Sequence, residues 1–411
     1  MLYGENEMRK NLDTYLFFTF AIPHKFMSQI LKEDNFPAIQ TDKFIWNIIR
    51  GIEDKENEFI YISSRPVSDY PYYAKKFIGK NIYVDDVNNK KIKILEIPFC
   101  NISFFKVLSR FFSGFYYAMK EFSKKNNKKG VIIYSVTVPY LALGCIFSKI
   151  FKIQLIGIWT DPPSVENVRD GLIKSKLRKI ELTLSKFFMK KFDKVISLTK
   201  QLAEDFCPDK PYLVIEGILN PNIYTQIIGN KRNEEIKTIV YTGTLEEKYG
   251  IKNIIKSFKY IDDKNVELHI YGKGNYEFEI NKSCKEDSRI KYFGLKDNKE
   301  ILNIQKNASF LINARSTEDE YVKYSFPSKM IEYMASGTPV ITTILYGFPK
   351  EYEKYLIPLE NNYPKTIAKK LLEVSKWSFD EKQKFGKNAQ IFIQNKSYDK
   401  QGKKIRRFIK E

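Results

Sequence analysis

The chain has 411 residues, 43% of them hydrophobic, with 69 Lys plus Arg against 49 Asp plus Glu and a formal charge of +20. That apolar content excludes a disordered chain, and the length leaves room for two ordinary cores. Four scattered cysteines (Cys100, Cys145, Cys207, Cys284) beside only two histidines, His24 and His269, exclude a zinc site and read as reduced thiols.

The first apolar run, 15–22, predicts a buried strand followed by a loop, Pro23-His24-Lys25, that presents His24 to a ligand. Short β-rich runs then alternate with longer helical patterns, at 59–63, 92–97, 131–136, 155–159, 195–198 and 213–216. That alternation predicts a parallel sheet covered on both faces. Trp159-Thr160-Asp161-Pro162 follows the fourth of these runs, so Asp161 falls where a ligand of such a sheet binds. Asp161 can orient or deprotonate a hydroxyl there, or it can merely hold a turn. A connection with turn signals at Asn220-Pro221 and Gly229-Asn230 separates this half from a second series. Its strands are expected at 238–243, 266–271, 290–293, 310–313, 340–343 and 356–359. Residues 1–217 and 233–378 thus read as two doubly wound α/β domains with a cleft between them. Residues 379–411 form a basic helical segment that can cross back to the first domain.

Strand-end loops of the second half hold most of the chemistry-bearing residues. Gly243-Thr244 ends its first strand and Gly272-Lys273-Gly274 its second, and glycine lets backbone approach a phosphate. Phe293-Gly294-Leu295 ends the third, and Asn313-Ala314-Arg315 the fourth, where a guanidinium fork suits phosphate oxygens. The run Tyr324-Ser325-Phe326-Pro327-Ser328-Lys329 opens a short helix, with Ser325 placed to cap it and Pro327 in its first turn. Met330, Ile331 and Met334 face a core, Lys329 and Glu332 share a neighbouring face, and Gly337 ends the helix. A helix start with a lysine in the first turn and a carboxylate one turn on can hold a diphosphate and a ribose. The arrangement reads as a nucleotide-sugar site.

On these residues the chain resembles the family 4 (group 1) glycosyltransferases of bacterial surface-polysaccharide type. The resemblance covers about the last 170 residues and implies the GT-B fold, two Rossmann-like doubly wound parallel-sheet domains with an inter-domain cleft. It implies that Glu332 holds the donor ribose, and that the helix start around Ser325, Phe326, Ser328 and Lys329 holds the diphosphate. Gly243, Thr244, Gly272, Gly274 and Leu295 would line the nucleotide site. Three positions depart from the family pattern. Its first motif Glu falls on Tyr324, and its loop Arg and Lys fall on Thr244 and Tyr249. Charge on a departing diphosphate must then be met by other cations, for which Lys329 and Arg315 are the choice.

The resemblance implies sugar transfer from a nucleotide-sugar to a hydroxyl of a glycan or lipid-linked oligosaccharide. It also implies retention of configuration and no metal or other cofactor, and no Asp-x-Asp occurs. Catalytic roles are expected for Asp161, Lys329 and Arg315, with His24 and Asp161 on the acceptor side. Two alternatives share the fold: a non-catalytic partner subunit, suggested by the lost charges, and a nucleotide-sugar epimerase, for which two histidines are few. The basic charge and two helical stretches mixing aromatics with Lys and Arg, 104–112 and 174–191, suit peripheral contact with an anionic membrane. They suit equally well helices that pack aromatics on a sheet. No signal pattern and no uninterrupted apolar stretch of ~18 residues is present, so a cytoplasmic protein, at the inner membrane face, is expected. Nucleic acid is not an expected partner, because charge alone gives no reason for the Ser325-to-Glu332 constellation.

Overall fold

Runs of β-branched and aromatic residues that are apolar on both sides of the pleat become strands, and such strands need cover on both faces. In a computed structural model describing residues 12–34, 39–163, 172–223, 235–318 and 320–411, they build two sheets, each in its own compact unit. The first unit comprises Met1–Glu216 and Tyr398–Glu411, the second Gly217–Ser397. The expected connection at Gly229-Asn230 lies outside the described residues.

The first unit carries β1 (Asp13–Thr19), β2 (Asn57–Ser63), β3 (Phe77–Ile78), β4 (Asn81–Val87), β5 (Lys90–Glu96), β6 (Phe99–Cys100), β7 (Lys128–Tyr134), β8 (Gln154–Trp159), β9 (Lys194–Ser197) and β10 (Tyr212–Val214). Eight of them form one sheet in the order β10-β9-β8-β7-β1-β2-β5-β4, while β3 and β6 make a separate two-stranded ribbon. β1 lies at the centre, with Leu16 opposite Ile60 on one side and Val131 on the other. Tyr15, Leu16, Phe17 and Phe18 are all buried, which accounts for the unbroken apolar run.

The sheet is not wholly parallel. β4 runs antiparallel to β5 through a turn at Asn88-Asn89, both with positive φ (53° and 61°). Two consecutive left-handed residues make the tight turn whose twist suits a hairpin, and asparagine tolerates that conformation. His24 also differs from expectation: it starts the helix His24–Glu33 instead of lying in a loop.

The second unit carries β11 (Lys237–Thr242), β12 (Val266–Tyr271), β13 (Ile290–Tyr292), β14 (Phe310–Asn313), β15 (Val340–Thr343) and β16 (Ile357–Leu359). All its pairs are parallel, in the order β13-β12-β11-β14-β15-β16. The strand order therefore reverses between β11 and β14, and a ligand crevice is expected outside the carboxyl ends of those two strands. Ile239, Leu268, Phe310, Ile312 and Ile341 form its core with Ile254, Ile367 and Leu371 from covering helices.

The C-terminal segment divides at a short turn, Gln394–Lys396. Helix Phe379–Ile393 stays with the second unit, whereas helix Tyr398–Lys410 belongs to the first and packs on helix Ile39–Ile52. Arg406 donates to the Gly51 carbonyl and pairs with Asp54 at 3.0 Å there. Among the described residues, no helix is long and apolar enough to cross a membrane.

Candidate active site

The loops after β11, β12 and β14 converge because glycine removes the side chains that would hold them apart. A Cβ on Gly272 would stand 1.8 Å from the Gly243 carbonyl oxygen, at a φ of +138°. A Cβ on Gly250, at φ +85°, would stand 1.9 Å from the Ala314 carbonyl oxygen. Hydrogen bonds lock this contact, from Gly243 N to Tyr271 O (3.0 Å), Leu245 N to Lys273 O (3.1 Å) and Tyr276 N to Leu245 O (3.0 Å). Gly274 lies within the same strip, its N–H donating to Glu277 Oε1 at 2.9 Å. Thr244 is fixed through its carbonyl, which accepts from the Tyr241 hydroxyl at 2.9 Å.

Helix Lys329–Ala335 is latched to the end of β11 by the buried Tyr333. Its hydroxyl accepts from Thr242 N (2.9 Å) and donates to Thr242 O (3.1 Å), and burial pushes its pKa up to about 12. Asn313 Nδ2 reaches Met330 Sδ at 3.5 Å and ties the end of β14 to the first turn. Met330, Ile331 and Met334 are buried, and Gly337 closes the helix at φ +75°. Ser325 does not cap it. Its position lies beyond a 3-10 turn, Glu320–Tyr324, and the residue before the helix is Ser328, in helical geometry with no side-chain cap. Phe326 is also not a ligand-facing side chain. It is buried against Phe348 (ring centroids 4.9 Å) and Tyr352 (5.4 Å), because an aromatic beside the helix start serves the core better than the solvent edge. Two turns of helix carry little dipole, so charge must come from side chains.

Those side chains are present. Lys329 Nζ lies 2.8 Å from Glu332 Oε2, both half-buried. Arg315 follows β14 with its carbonyl held by Thr343 Oγ1 at 2.8 Å. Its guanidinium carbon lies 4.6 Å from the Tyr249 ring centroid. Its Nε is shut off from water and has no acceptor, and it forms no ion pair among the described residues. Of the two acids that follow it in the chain, Glu318 accepts from the Tyr363 hydroxyl at 3.0 Å, and Asp319 lies outside the described residues. Lys248 is engaged by Glu246 at 2.6 Å. The position of the family's missing loop lysine is therefore occupied by an aromatic platform for Arg315. A cation with unused donors and a lysine–carboxylate pair, at the carboxyl ends of β11 and β14, can hold phosphate oxygens and a diol.

Residues 222–392 match the family described as glycosyl transferases, group 1. The chain carries a glycosyltransferase domain. No curated protein matches this glycosyltransferase by sequence. Solved structures do. A sucrose-phosphate synthase from Thermosynechococcus elongatus is 12% identical, with 97% of this chain and 98% of that one covered at a TM-score of 0.66. Anabaena HepE, solved in complex with UDP, is 12% identical over 97% and 100%, at 0.59. The lipopolysaccharide outer core galactosyltransferase WaaB is 15% identical over 97% and 100%, at 0.60. At these identities the likeness is one of fold, and the fold is GT-B.

The remaining expected residues of the glycosyltransferase scatter. Leu295 is exposed beside Gly294, Ser328 is exposed, and Tyr324 is half-buried with Lys323 Nζ 4.7 Å from its ring centroid. His24 and Asp161 belong to the first unit, on the ends of β1 and β8, which β7 separates; both are exposed and share no hydrogen bond. Asp161 Oδ2 accepts from Thr160 Oγ1 at 2.8 Å. His269 pairs with Glu267 at 2.8 Å inside the sheet, and burial holds its pKa below the ordinary value. Tyr249 and Tyr333 were not singled out from sequence as site residues; for Tyr249, the signal was an aromatic where a cation was expected. Among the described residues no group of three or more His, Cys, Asp or Glu is arranged to hold a metal ion.

Proposed function

We propose that this glycosyltransferase moves a sugar from a nucleoside-diphosphate donor to a hydroxyl of a glycan or lipid-linked acceptor, with retention and without a metal. The observation that carries this reading is Arg315 on the Tyr249 ring, because it restores a cation where the family's loop lysine is absent. It also weighs against a degenerate partner subunit. In this reading Glu332 binds the ribose, Lys329 and Arg315 hold the diphosphate and stabilise it as it leaves, and Gly243, Gly272 and Gly274 allow close backbone approach. A diphosphate oxygen takes the acceptor proton on the face it leaves, and Asp161 orients the hydroxyl. HepE, solved with UDP, supports a uridine donor, and WaaB, named for the lipopolysaccharide outer core, supports a surface-glycan acceptor.

Membrane contact belongs to the same proposal. On helix Ser103–Phe122, Phe104, Leu108, Phe112 and Tyr116 recur every fourth residue and are exposed, contrary to packing of those aromatics on the sheet. Ile180, Leu184 and Phe187 are exposed on helix Leu172–Met189, beside exposed Lys179, Lys186 and Lys190. An exposed aromatic stripe among lysines suits the face of an anionic leaflet and supports a position at the inner membrane face.

Thermal-shift measurement with UDP, GDP, CDP, TDP and ADP, without metal, tests the donor site. At 100-fold its Kd, one selective nucleotide should add about 2.7 kcal/mol. Glu332→Ala should abolish the shift. No shift with any of the five would refute the reading.

A further inference from the structure

The strand order of the first sheet also reverses, between β1 and β7, and a second set of polar groups gathers where β1, β2 and β7 end. Helix Ser103–Phe122 presents Lys106, Arg110 and Ser113 there on one face. Two neighbouring cations are answered. Arg65 is bidentate to Glu96 at 2.8 and 3.0 Å. Lys106, buried, donates to Val67 O at 2.6 Å and to Asp69 Oδ1 at 2.8 Å, and Asp34 adds a further negative charge nearby. Burial, then repulsion from Arg110, pulls the Lys106 ammonium down to about 8.

Arg110 forms no ion pair among the described residues, although Asp69, which Lys106 holds, lies in its field. Its guanidinium carbon lies 4.3 Å from the Phe99 ring centroid and 5.6 Å from that of Phe20, and one Nη2 hydrogen reaches Arg65 O at 2.8 Å. Its Nε is closed to water and has no acceptor. Burial lowers its pKa to about 10, which leaves it charged at neutral pH. The Tyr140 hydroxyl lies beside Ser64 and in the field of Arg110, stacked on Phe20 at 5.2 Å. Tyr140 Oη and Ser64 Oγ face each other and have no other partner among the described residues, and both residues are at most 1% exposed.

A half-buried charge whose one attracting carboxylate, Asp69, is already paired with Lys106, beside two buried hydroxyls that have only each other, is under-satisfied as it stands. A group with several anionic oxygens relieves all three at once. A guanidinium, an ammonium and two hydroxyls offer more donors than two carboxylate oxygens need, and suit the three of a phosphate. We propose that the carboxyl edge of the first sheet is a phosphate site, in which Arg110, with Lys106, Tyr140 and Ser64, receives a phosphate group of the acceptor. That the phosphate belongs to an acceptor rests on the glycosyltransferase reading; the anion site does not. A soluble sugar phosphate and a lipid-linked diphosphate share this chemistry.

The test is calorimetry on the full chain saturated with UDP, titrating inorganic phosphate, glucose 6-phosphate, farnesyl diphosphate and, as the neutral control, glucose. At least one phosphorylated probe should bind, at least tenfold more weakly to Arg110→Met and several-fold more weakly to Tyr140→Phe, with UDP affinity unchanged in both. Glu332→Ala should lose UDP and keep the phosphate probe. Arg110→Met without ligand should melt at the wild-type temperature or above, since it removes a charge that has no ion pair among the described residues. Tighter binding of glucose 6-phosphate identifies a soluble acceptor, and of farnesyl diphosphate a lipid-linked one. If Arg110→Met does not fold, Tyr140→Phe and Arg110→Lys carry the test. The site is overturned if wild type binds no phosphorylated probe. It is also overturned if the Arg110 and Tyr140 variants bind as wild type does, or if Glu332→Ala removes the binding. Arg110-dependent phosphate binding in a protein that takes no nucleoside diphosphate would leave this site standing and remove the donor reading instead.

Discussion

Glu332 and Lys329 face each other at 2.8 Å, with side chains 19% and 25% exposed. A pair that wet contributes at most about 1 kcal/mol to stability. Two hydrogen bonds from ribose hydroxyls to a carboxylate contribute roughly 1.5–3 kcal/mol each. The magnitudes separate fold from function: Glu332→Ala should lower nucleotide affinity at least tenfold while the melting temperature of the free protein barely moves. Unchanged affinity in calorimetry would remove Glu332 from the ribose. Lys329→Ala should weaken UDP more than uridine, because only the diphosphate feels the lost charge; an equal loss for both would take the lysine off the phosphate. Arg315 differs from Lys329 in having an aromatic face beneath it, an interaction that holds a guanidinium in place without consuming its hydrogen-bond donors.

At the level of elements, the second unit's strand-end loops work as one body because their backbones touch. Gly272 and Gly294 make a controlled comparison. Both have positive φ, but a Cβ on Gly272 meets the Gly243 carbonyl at 1.8 Å and one on Gly294 meets nothing within 4 Å. Gly294→Ala should cost only the left-handed backbone strain, about 1–2 kcal/mol. Gly272→Ala must also push the β11 loop away and should cost more in urea melts, with nucleotide affinity falling alongside. Equal costs would mean that the loop contact does not matter. The β4–β5 hairpin teaches a related point. Asn88-Asn89 is a readable turn signal between two alternating runs, and reading every run as a parallel strand passed over it.

For the whole molecule, charge and exposed aromatics act together. Each basic residue close to an anionic leaflet contributes about 1 kcal/mol, and the contribution falls with salt. The full chain should therefore sediment with phosphatidylglycerol vesicles and not with phosphatidylcholine ones, and 0.5 M salt (about a 4–5 Å screening length) should release it. Phe104→Ser with Phe112→Ser should weaken the binding further. Sedimentation indifferent to both salt and these substitutions would make the helix face an ordinary solvated surface.

Sequence by itself determined the two doubly wound halves, most of the apolar runs that become strands, and a short helix ended by Gly337, since each depends on residues adjacent in the chain. It also placed Arg315 at a strand end, where such sheets bind ligands, and Lys329 and Glu332 on one face of that helix. Only the tertiary structure decided which side chains those residues meet. Tyr249 read as a lost charge until β11 and β14 brought it under Arg315. Phe326 read as a ligand contact until Phe348 and Tyr352 enclosed it, and Arg110 read as one more basic residue until Phe20 and Phe99 packed around its guanidinium. Local patterning fixes the period of an element, but which face is covered, and by what, depends on contacts far apart in sequence.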